Sequence, residues 1–125
     1  MKNRNLFFLC LLIYIFSPAI SRSQTGQGNS QQIRHVEIVT FQPGTSDSSK
    51  HLVDKAYRQA ADAFPMVKAF EWGWDDNDKT QTKHVYVTTF NSKGDLTTYN
   101  ASPQHQAATK KKSIKQVTTI DYYPK

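Results

Sequence analysis

Cysteine is almost absent from this chain of 125 residues, in which Cys10 is the single example. One thiol, placed in an apolar stretch near the start, excludes an intrachain disulfide framework and a metal centre built from cysteines. The length gives room for one domain and not two. Such a domain relies on its hydrophobic core, with a partner subunit as a further source of buried area.

Long hydrophobic runs are also scarce. The run Leu6–Phe16 covers 11 residues, well short of the roughly 20 that a membrane-spanning helix needs. Lys2 and Arg4 precede this run, and Ser21-Arg22-Ser23 places small residues at the expected cleavage point. That order predicts a signal peptide over residues 1–23, its cleavage, and export to the periplasm or the extracellular space. The alternative is an anchor formed by an uncleaved N-terminal segment, without a stable membrane span.

A large excess of charge is missing too. The formal net charge is +6, and three of the basic residues, Lys2, Arg4 and Arg22, belong to the predicted signal peptide. The remaining domain is mildly basic, which does not predict a nucleic-acid partner. The lysines at 110–112 end a predicted helix, where cations complement the helix dipole.

Residues 24–32 contain no apolar side chain and are rich in Gln, Gly, Ser and Asn. This composition predicts a disordered spacer. The folded domain is therefore expected to cover residues 33–124.

That domain alternates strand and helix patterns. β-branched and aromatic residues predict strands over 33–41, 67–74, 83–90 and 117–123. The four-residue spacing of Leu52, Ala56, Ala60 and Phe64 predicts an amphipathic helix that ends at Pro65.

A second helix is expected to begin after Ser92 and to continue to about Lys112. It breaks around Asn100-Ala101, and Ser102-Pro103 restarts it as an N-cap followed by proline. The resulting order, β-α-β-β-α-β, predicts an α+β domain of the ferredoxin-like class. Its four-stranded antiparallel sheet carries two helices on one face.

The other face of this sheet would be apolar. Five side chains share it: Val36, Ile38, Val85, Val87 and Ile120. An exposed patch of this kind is unusual for a soluble monomer. We therefore predict a homodimer that packs sheet against sheet and forms a dimeric α/β barrel.

The helix-covered face carries the candidate site. His35 and His84 each open a strand, Tyr57 lies on the first helix, and Tyr99 and His105 flank the helix break. A histidine takes a proton from carbon or oxygen at neutral pH, and a tyrosine hydroxyl can hydrogen-bond a developing oxyanion. This pair of functions suffices for proton abstraction next to a carbonyl group.

Several motifs coincide in order and spacing: RHVEIVTF, FPMVKAFEWG, VTTF, YNASPQHQA and IDYYP. Together they make residues 33–124 resemble the stress-responsive A/B barrel domain family. The resemblance implies a dimeric α+β barrel. Many members of that family have no known activity, and a plant polyketide cyclase among them performs an aldol condensation without cofactor or metal.

The resemblance also implies site residues. The cyclase uses a tyrosine and a histidine of its Y-x-x-x-P-x-H segment, which correspond here to Tyr99 and His105. Its pocket positions correspond to His35, Tyr57 and His84. Where the cyclase has bulky apolar walls, this chain has polar or small residues: Glu37, Asp54, Arg58, Ala108 and Thr109. The pocket is therefore expected to be more polar and differently shaped, and the long-chain polyketide substrate of the cyclase is not expected here.

Three interpretations of these residues stay open at this level. In the first, a lyase or cyclase uses His105 as base and Tyr99 as hydrogen-bond donor. In the second, a non-enzymatic stress-response or binding protein holds a small-molecule ligand in the same pocket. In the third, His105 orders the helix break and the tyrosines are packing residues.

Glu37 falls on the same strand face as His35, where a buried carboxylate requires a partner. The sequence offers His35, His105 or Arg58 as that partner. The alternative is that Glu37 lies at an open sheet edge.

No cofactor and no metal is predicted. The acidic stretch 75–78 lacks the glycine and the glutamate of a calcium loop. His51 is expected to be an exposed helix residue, and the other three histidines contain no closely spaced pair.

Overall fold

A computed structural model describes residues 31–125. The predicted signal peptide and residues 24–30 of the predicted spacer lie outside the described residues. Seven elements follow one another in the chain: β1 (Ile33–Phe41), α1 (Asp47–Asp62), β2 (Val67–Trp74), β3 (Lys83–Phe90), α2 (Lys93–Ala101), α3 (Pro103–Thr109) and β4 (Ile114–Tyr122).

The four strands form one antiparallel sheet in the order β2-β3-β1-β4. This order is that of a ferredoxin-like fold, and the predicted fold class is confirmed. Strand β1 is central, so each of its inward side chains has a neighbour on both sides. Glu37, for example, lies opposite Tyr86 of β3 and Thr119 of β4.

Strict alternation along β1 separates its two faces. Every second residue is buried beneath the helices: Ile33, His35, Glu37, Val39 and Phe41. The residues between them are half-buried on the outer face. Because successive side chains of a strand point to opposite faces, three apolar and two ionisable groups enter the same layer.

Helix α1 begins at Asp47 and ends at Asp62, shortly before Pro65, where the sequence predicts its end. Ser46 is the N-cap, and its hydroxyl accepts a hydrogen bond from the backbone N–H of Ser49. The predicted apolar stripe is wrong at one position, because Leu52 is 64% exposed whereas Val53 is buried. Ala60 of the predicted stripe is buried, and beside it Tyr57 stacks on Tyr86 of the sheet, with ring centroids 3.9 Å apart.

The predicted break between α2 and α3 is confirmed. Ser102 ends α2 in an extended conformation and serves as N-cap of α3, where its hydroxyl accepts from the N–H of His105. Pro103 stands at the first helical position, as its fixed φ favours. Helix α3 ends at Thr109, earlier than predicted, and β4 begins at Ile114, earlier than the predicted 117.

The outer sheet face has the predicted composition. Val36 lies opposite Val87 on one side and Ile120 on the other, and Ile38 lies opposite Val85. Ile120 is 50% exposed. Within residues 31–125, no helix has the length and apolar character needed to cross a membrane.

Candidate functional site

Glu37 is the centre of a buried polar group. Its side chain is only 3% exposed, and its Oε2 lies 2.9 Å from Nε2 of His105 and 3.4 Å from Nε2 of His35. The Tyr57 hydroxyl donates to its Oε1 over 3.4 Å. Of the two placements that the sequence left open, the inward one is therefore the one observed, because β1 is a central strand and has no open edge.

Asp121 extends this group to the surface. Its Oδ1 lies 2.7 Å from Nδ1 of His35, directly across the β1–β4 pairing. The Asp121 side chain is 41% exposed, whereas that of His35 is buried. A continuous line of ionisable groups therefore runs from solvent at Asp121 through His35 and Glu37 to His105.

Asp121 was not among the site residues predicted from the sequence. The signal that could have found it is the alternation within β4, which places residue 121 on the inward face. A partner for His35 is then expected at that position once β1 and β4 are taken as antiparallel neighbours.

Electrostatics keep Glu37 charged despite its burial. Burial opposes the charged form, but the hydrogen bond with His105 and the close approach of His105 and His35 lower the pKa of Glu37 to about 2. For His35 burial also favours the neutral form, yet Glu37 and Asp121 outweigh it and raise the pKa of His35. The arrangement thus holds a carboxylate against two imidazoles at neutral pH.

Both tyrosines of the group stay protonated. Burial, together with the nearby Glu37 carboxylate, raises the pKa of Tyr57 and that of Tyr99. The Tyr99 ring lies 4.5 Å from the His105 ring, between centroids. Its buried hydroxyl makes no hydrogen bond of acceptable geometry within residues 31–125. Tyr99 can therefore donate a hydrogen bond to a bound oxygen atom.

Five of the six predicted site residues thus converge, and we refer to them as the Glu37 cluster: His35, Glu37, Tyr57, Tyr99 and His105. The cluster depends on the α2–α3 break, which brings Tyr99 and His105 to the same side of the sheet. A hollow of about 490 Å³ lies away from this cluster, on the outer sheet face beside Ile38 and Val85.

His84, the sixth predicted residue, belongs to a neighbouring group. Its Nδ1 lies 2.7 Å from Oδ1 of Asp54 on α1, and the Tyr86 hydroxyl donates to the same oxygen over 2.6 Å. His51 reaches Oδ2 of Asp54 over 3.4 Å while its side chain is 73% exposed. The stacked pair of Tyr57 and Tyr86 connects this group to the Glu37 cluster.

Asp54 provides a pH-dependent test of that neighbouring group. Burial opposes its charge, but His84 and Tyr86 lower the pKa of Asp54 in the folded protein. Its stabilising contribution is therefore complete above its ordinary pKa and is lost as the pH falls through the folded value. Asp54→Asn is expected to lower the free energy of unfolding by about 2 kcal/mol at pH 7, and by progressively less below about pH 4.

Urea denaturation at a series of pH values measures this difference. Asp62→Asn is the matched control, because Asp62 is exposed on the same helix, and it should change stability by less than about 0.5 kcal/mol. A cost for Asp54→Asn that does not diminish in acid would contradict the assignment.

Arg58 does not pair with Glu37. Its guanidinium lies over the ring of Phe70, 5.4 Å from the centroid. In the acidic stretch, Asp78 accepts hydrogen bonds from the backbone N–H groups of Thr80 and Thr82, so its carboxylate closes a turn.

The sequence model of the family described as "Stress responsive A/B Barrel Domain" (Dabb) matches residues 33–124. The stress-response A/B barrel domain-containing protein HS1 of Arabidopsis thaliana is 31% identical over 97 residues. The match covers 74% of this chain and 89% of that protein.

Two solved structures show the same fold at lower identity. A hydroxynitrile lyase from Passiflora edulis has a TM-score of 0.66 and 18% identity, with 77% of this chain and 95% of that chain covered. A dimeric ferredoxin-like protein from Thermobifida fusca has a TM-score of 0.64 and 17% identity, with 74% and 91% covered. Sequence identities this low indicate a shared fold and nothing further about function. Structural relatives of this chain therefore include a dimer.

Proposed function

The chain belongs to the stress-responsive A/B barrel domain family, as its motifs predicted, and from this premise we propose that its Glu37 cluster transfers protons next to a carbonyl group. The proposed reaction class is that of a lyase or cyclase. One observation carries the proposal: the 2.9 Å contact between Nε2 of His105 and Oε2 of Glu37, in a site nearly closed to water.

This contact defines which nitrogen acts as base. A neutral His105 that donates its Nε2–H to Glu37 carries its lone pair on Nδ1. Glu37 orients the ring and stabilises the imidazolium that forms when Nδ1 takes a proton, as a carboxylate does in other histidine-based sites. Asp121 and His35 hold Glu37 in place from the solvent side.

Tyr99 completes the proposed chemistry. When His105 removes a proton next to a carbonyl group, negative charge develops on the carbonyl oxygen. A neutral hydroxyl beside that oxygen stabilises the charge. The ring of Tyr99 lies close to that of His105, and its buried hydroxyl, with Thr88 beside it, makes no hydrogen bond of acceptable geometry among the described residues.

Proton exchange tests the proposal without knowledge of the natural substrate. Small aldehydes and ketones are incubated in D2O with the purified protein, and loss of the signal of the proton next to the carbonyl is followed by NMR. We expect His105→Ala to slow this exchange by roughly 10²–10⁴-fold, and Tyr99→Phe by roughly 10²-fold. His51→Ala, which changes an exposed histidine, is the control and should retain the rate.

The close packing of the cluster favours a second candidate function, a binding protein without turnover. Its five side chains are nearly inaccessible to water, so a substrate or a ligand enters only when they move apart, and a molecule held in this way need not react. The same NMR samples distinguish the two functions. Saturable shifts of histidine signals without proton exchange would support binding, and a folded protein that neither exchanges nor binds any compound would contradict both.

The proposal includes a homodimer formed through the outer sheet face. The support is the apolar row Ile120-Val36-Val87 across three strands and the dimeric state of relatives such as the Thermobifida fusca protein. An apolar row of this kind gains free energy when a two-fold partner removes it from water.

Export is the last part of the proposal, and it rests on the sequence of residues 1–23. N-terminal sequencing of the protein recovered from a secreting host tests it. A chain that begins near Gln24 is expected, and a retained Met1 in the secreted fraction would contradict cleavage.

A further inference from the structure

Three possible metal ligands meet at the Glu37 cluster. One ring nitrogen of His35, a carboxylate oxygen of Glu37 and one ring nitrogen of His105 all lie within 4.8 Å of one another. Two imidazoles and one carboxylate form the ligand set of many catalytic zinc sites. We infer that these three residues also form a transition-metal site that takes Zn²⁺ in preference to magnesium or calcium, which favour oxygen ligands.

The spacing of the ligand atoms supports this inference. Tetrahedral zinc with ligands at about 2.0–2.1 Å holds neighbouring ligand atoms roughly 3.3 Å apart. Oε2 of Glu37 is 2.9 Å from His105 Nε2 and 3.4 Å from His35 Nε2. Both separations between the carboxylate oxygen and an imidazole nitrogen therefore lie close to the tetrahedral value.

The surroundings of His35 provide a second, independent observation. Asp121 holds Nδ1 at 2.7 Å, which is the carboxylate–histidine arrangement that orients metal-binding imidazoles. The opposite nitrogen, Nε2, is buried and faces Glu37 without hydrogen-bond geometry. When the proton of neutral His35 is on Nδ1, the Nε2 lone pair faces an anionic oxygen, and a cation between them would satisfy both.

Glu37 has an equivalent support. Its second oxygen accepts the hydroxyl of Tyr57, so Oε2 is directed toward the two imidazoles. Three protein ligands leave a fourth position for water or a ligand oxygen, as in catalytic zinc sites.

The inference goes beyond the proposed function and does not require it. Zinc on Nε2 of His105 would place the ring proton on Nδ1, the nitrogen proposed as the base. Zinc binding and proton abstraction would therefore exclude each other on one molecule. If both are correct, added Zn²⁺ slows carbonyl proton exchange in proportion to occupancy.

Zinc binding is measured directly on tag-free protein. The background is Cys10→Ser, so that no thiol contributes, and the probe is Zn²⁺ alone in isothermal titration calorimetry. We expect one zinc per chain with a Kd below about 1 μM. X-ray absorption at the zinc edge should show two imidazole ligands at about 2.0–2.1 Å.

Zinc affinity in single-residue variants tests which side chains bind the metal. Glu37→Gln should weaken binding at least 100-fold, and Asp121→Asn by about 10–100-fold through His35. His84→Gln is the matched control, because His84 is also buried against a carboxylate but lies outside the ligand set; its affinity should be that of the background. If Glu37→Gln does not fold, the zinc affinity of Asp121→Asn decides, because Asp121 is partly exposed and its substitution is better tolerated.

Several results would overturn the inference. They are a folded background protein without stoichiometric zinc, unchanged affinity in both folded Glu37→Gln and Asp121→Asn, or an absorption spectrum without two imidazoles. Zinc binding in a protein that exchanges no carbonyl proton when metal-free would reject the proposed reaction alone. Exchange without zinc binding would reject the metal site alone.

Discussion

Glu37→Ala is expected to lower the free energy of unfolding by about 3–5 kcal/mol at neutral pH. The substitution removes one anion that faces two imidazoles and accepts a tyrosine hydroxyl in the centre of the domain. His105 and Tyr57 would each remain buried without their carboxylate partner, whereas His35 would retain only Asp121. Removing one member of a buried charged group costs far more than the group as a whole contributes.

Chemical denaturation followed by tryptophan fluorescence measures this loss. Glu71→Ala is the matched control, since Glu71 is an exposed strand carboxylate that lies 3.6 Å from Arg34. Its loss should cost less than about 1 kcal/mol. Equal costs for Glu37→Ala and Glu71→Ala would show that the contacts of Glu37 contribute nothing beyond those of a surface ion pair.

Val36→Asp is expected to convert a dimer into monomers at micromolar concentration. Val36 lies on the central strand, with Val87 and Ile120 as its outer-face neighbours. In the proposed dimer an aspartate there would be buried against apolar side chains, and Arg34 on the same face already lies 3.6 Å from Glu71. An unpaired buried charge costs several kcal/mol, which corresponds to a loss of at least 100-fold in dimer affinity.

Light scattering coupled to gel filtration measures the mass, and circular dichroism confirms that the variant is folded. Leu52→Asp is the matched control, because Leu52 is an exposed apolar residue on α1, away from the sheet face. It should leave the dimer intact. A dimer that survives Val36→Asp but not Leu52→Asp would place the interface on the helices.

Some contacts of the candidate site could be predicted from the sequence, and others could not. Tyr99 and His105 could be paired from sequence because Ser102-Pro103 forces a helix break between them. The pairing of His35 with Asp121 could not, because it depends on which strands are neighbours. Arg58 was a reasonable partner for Glu37 by charge, but the rotation of α1 directs it to Phe70.

His84 illustrates the same limit. Its strand position placed it on the helix-covered face, as observed, and the family resemblance placed it in the pocket. In the folded chain Asp54 of α1 holds it in a separate group. The choice between the two groups follows from the angular position of α1, which local periodicity defined only to within one residue, as the exposure of Leu52 shows.

The sequence by itself determined the fold class, the boundaries of most elements and the two faces of the central strand. It could do so because alternation, capping and proline restrictions act between residues close in the chain. Only the tertiary structure decided that one buried carboxylate joins His35, His105 and Tyr57, with Asp121 at its solvent end. Those contacts join strands and helices distant in the chain, and they depend on sheet order and helix rotation, which local sequence patterns do not specify.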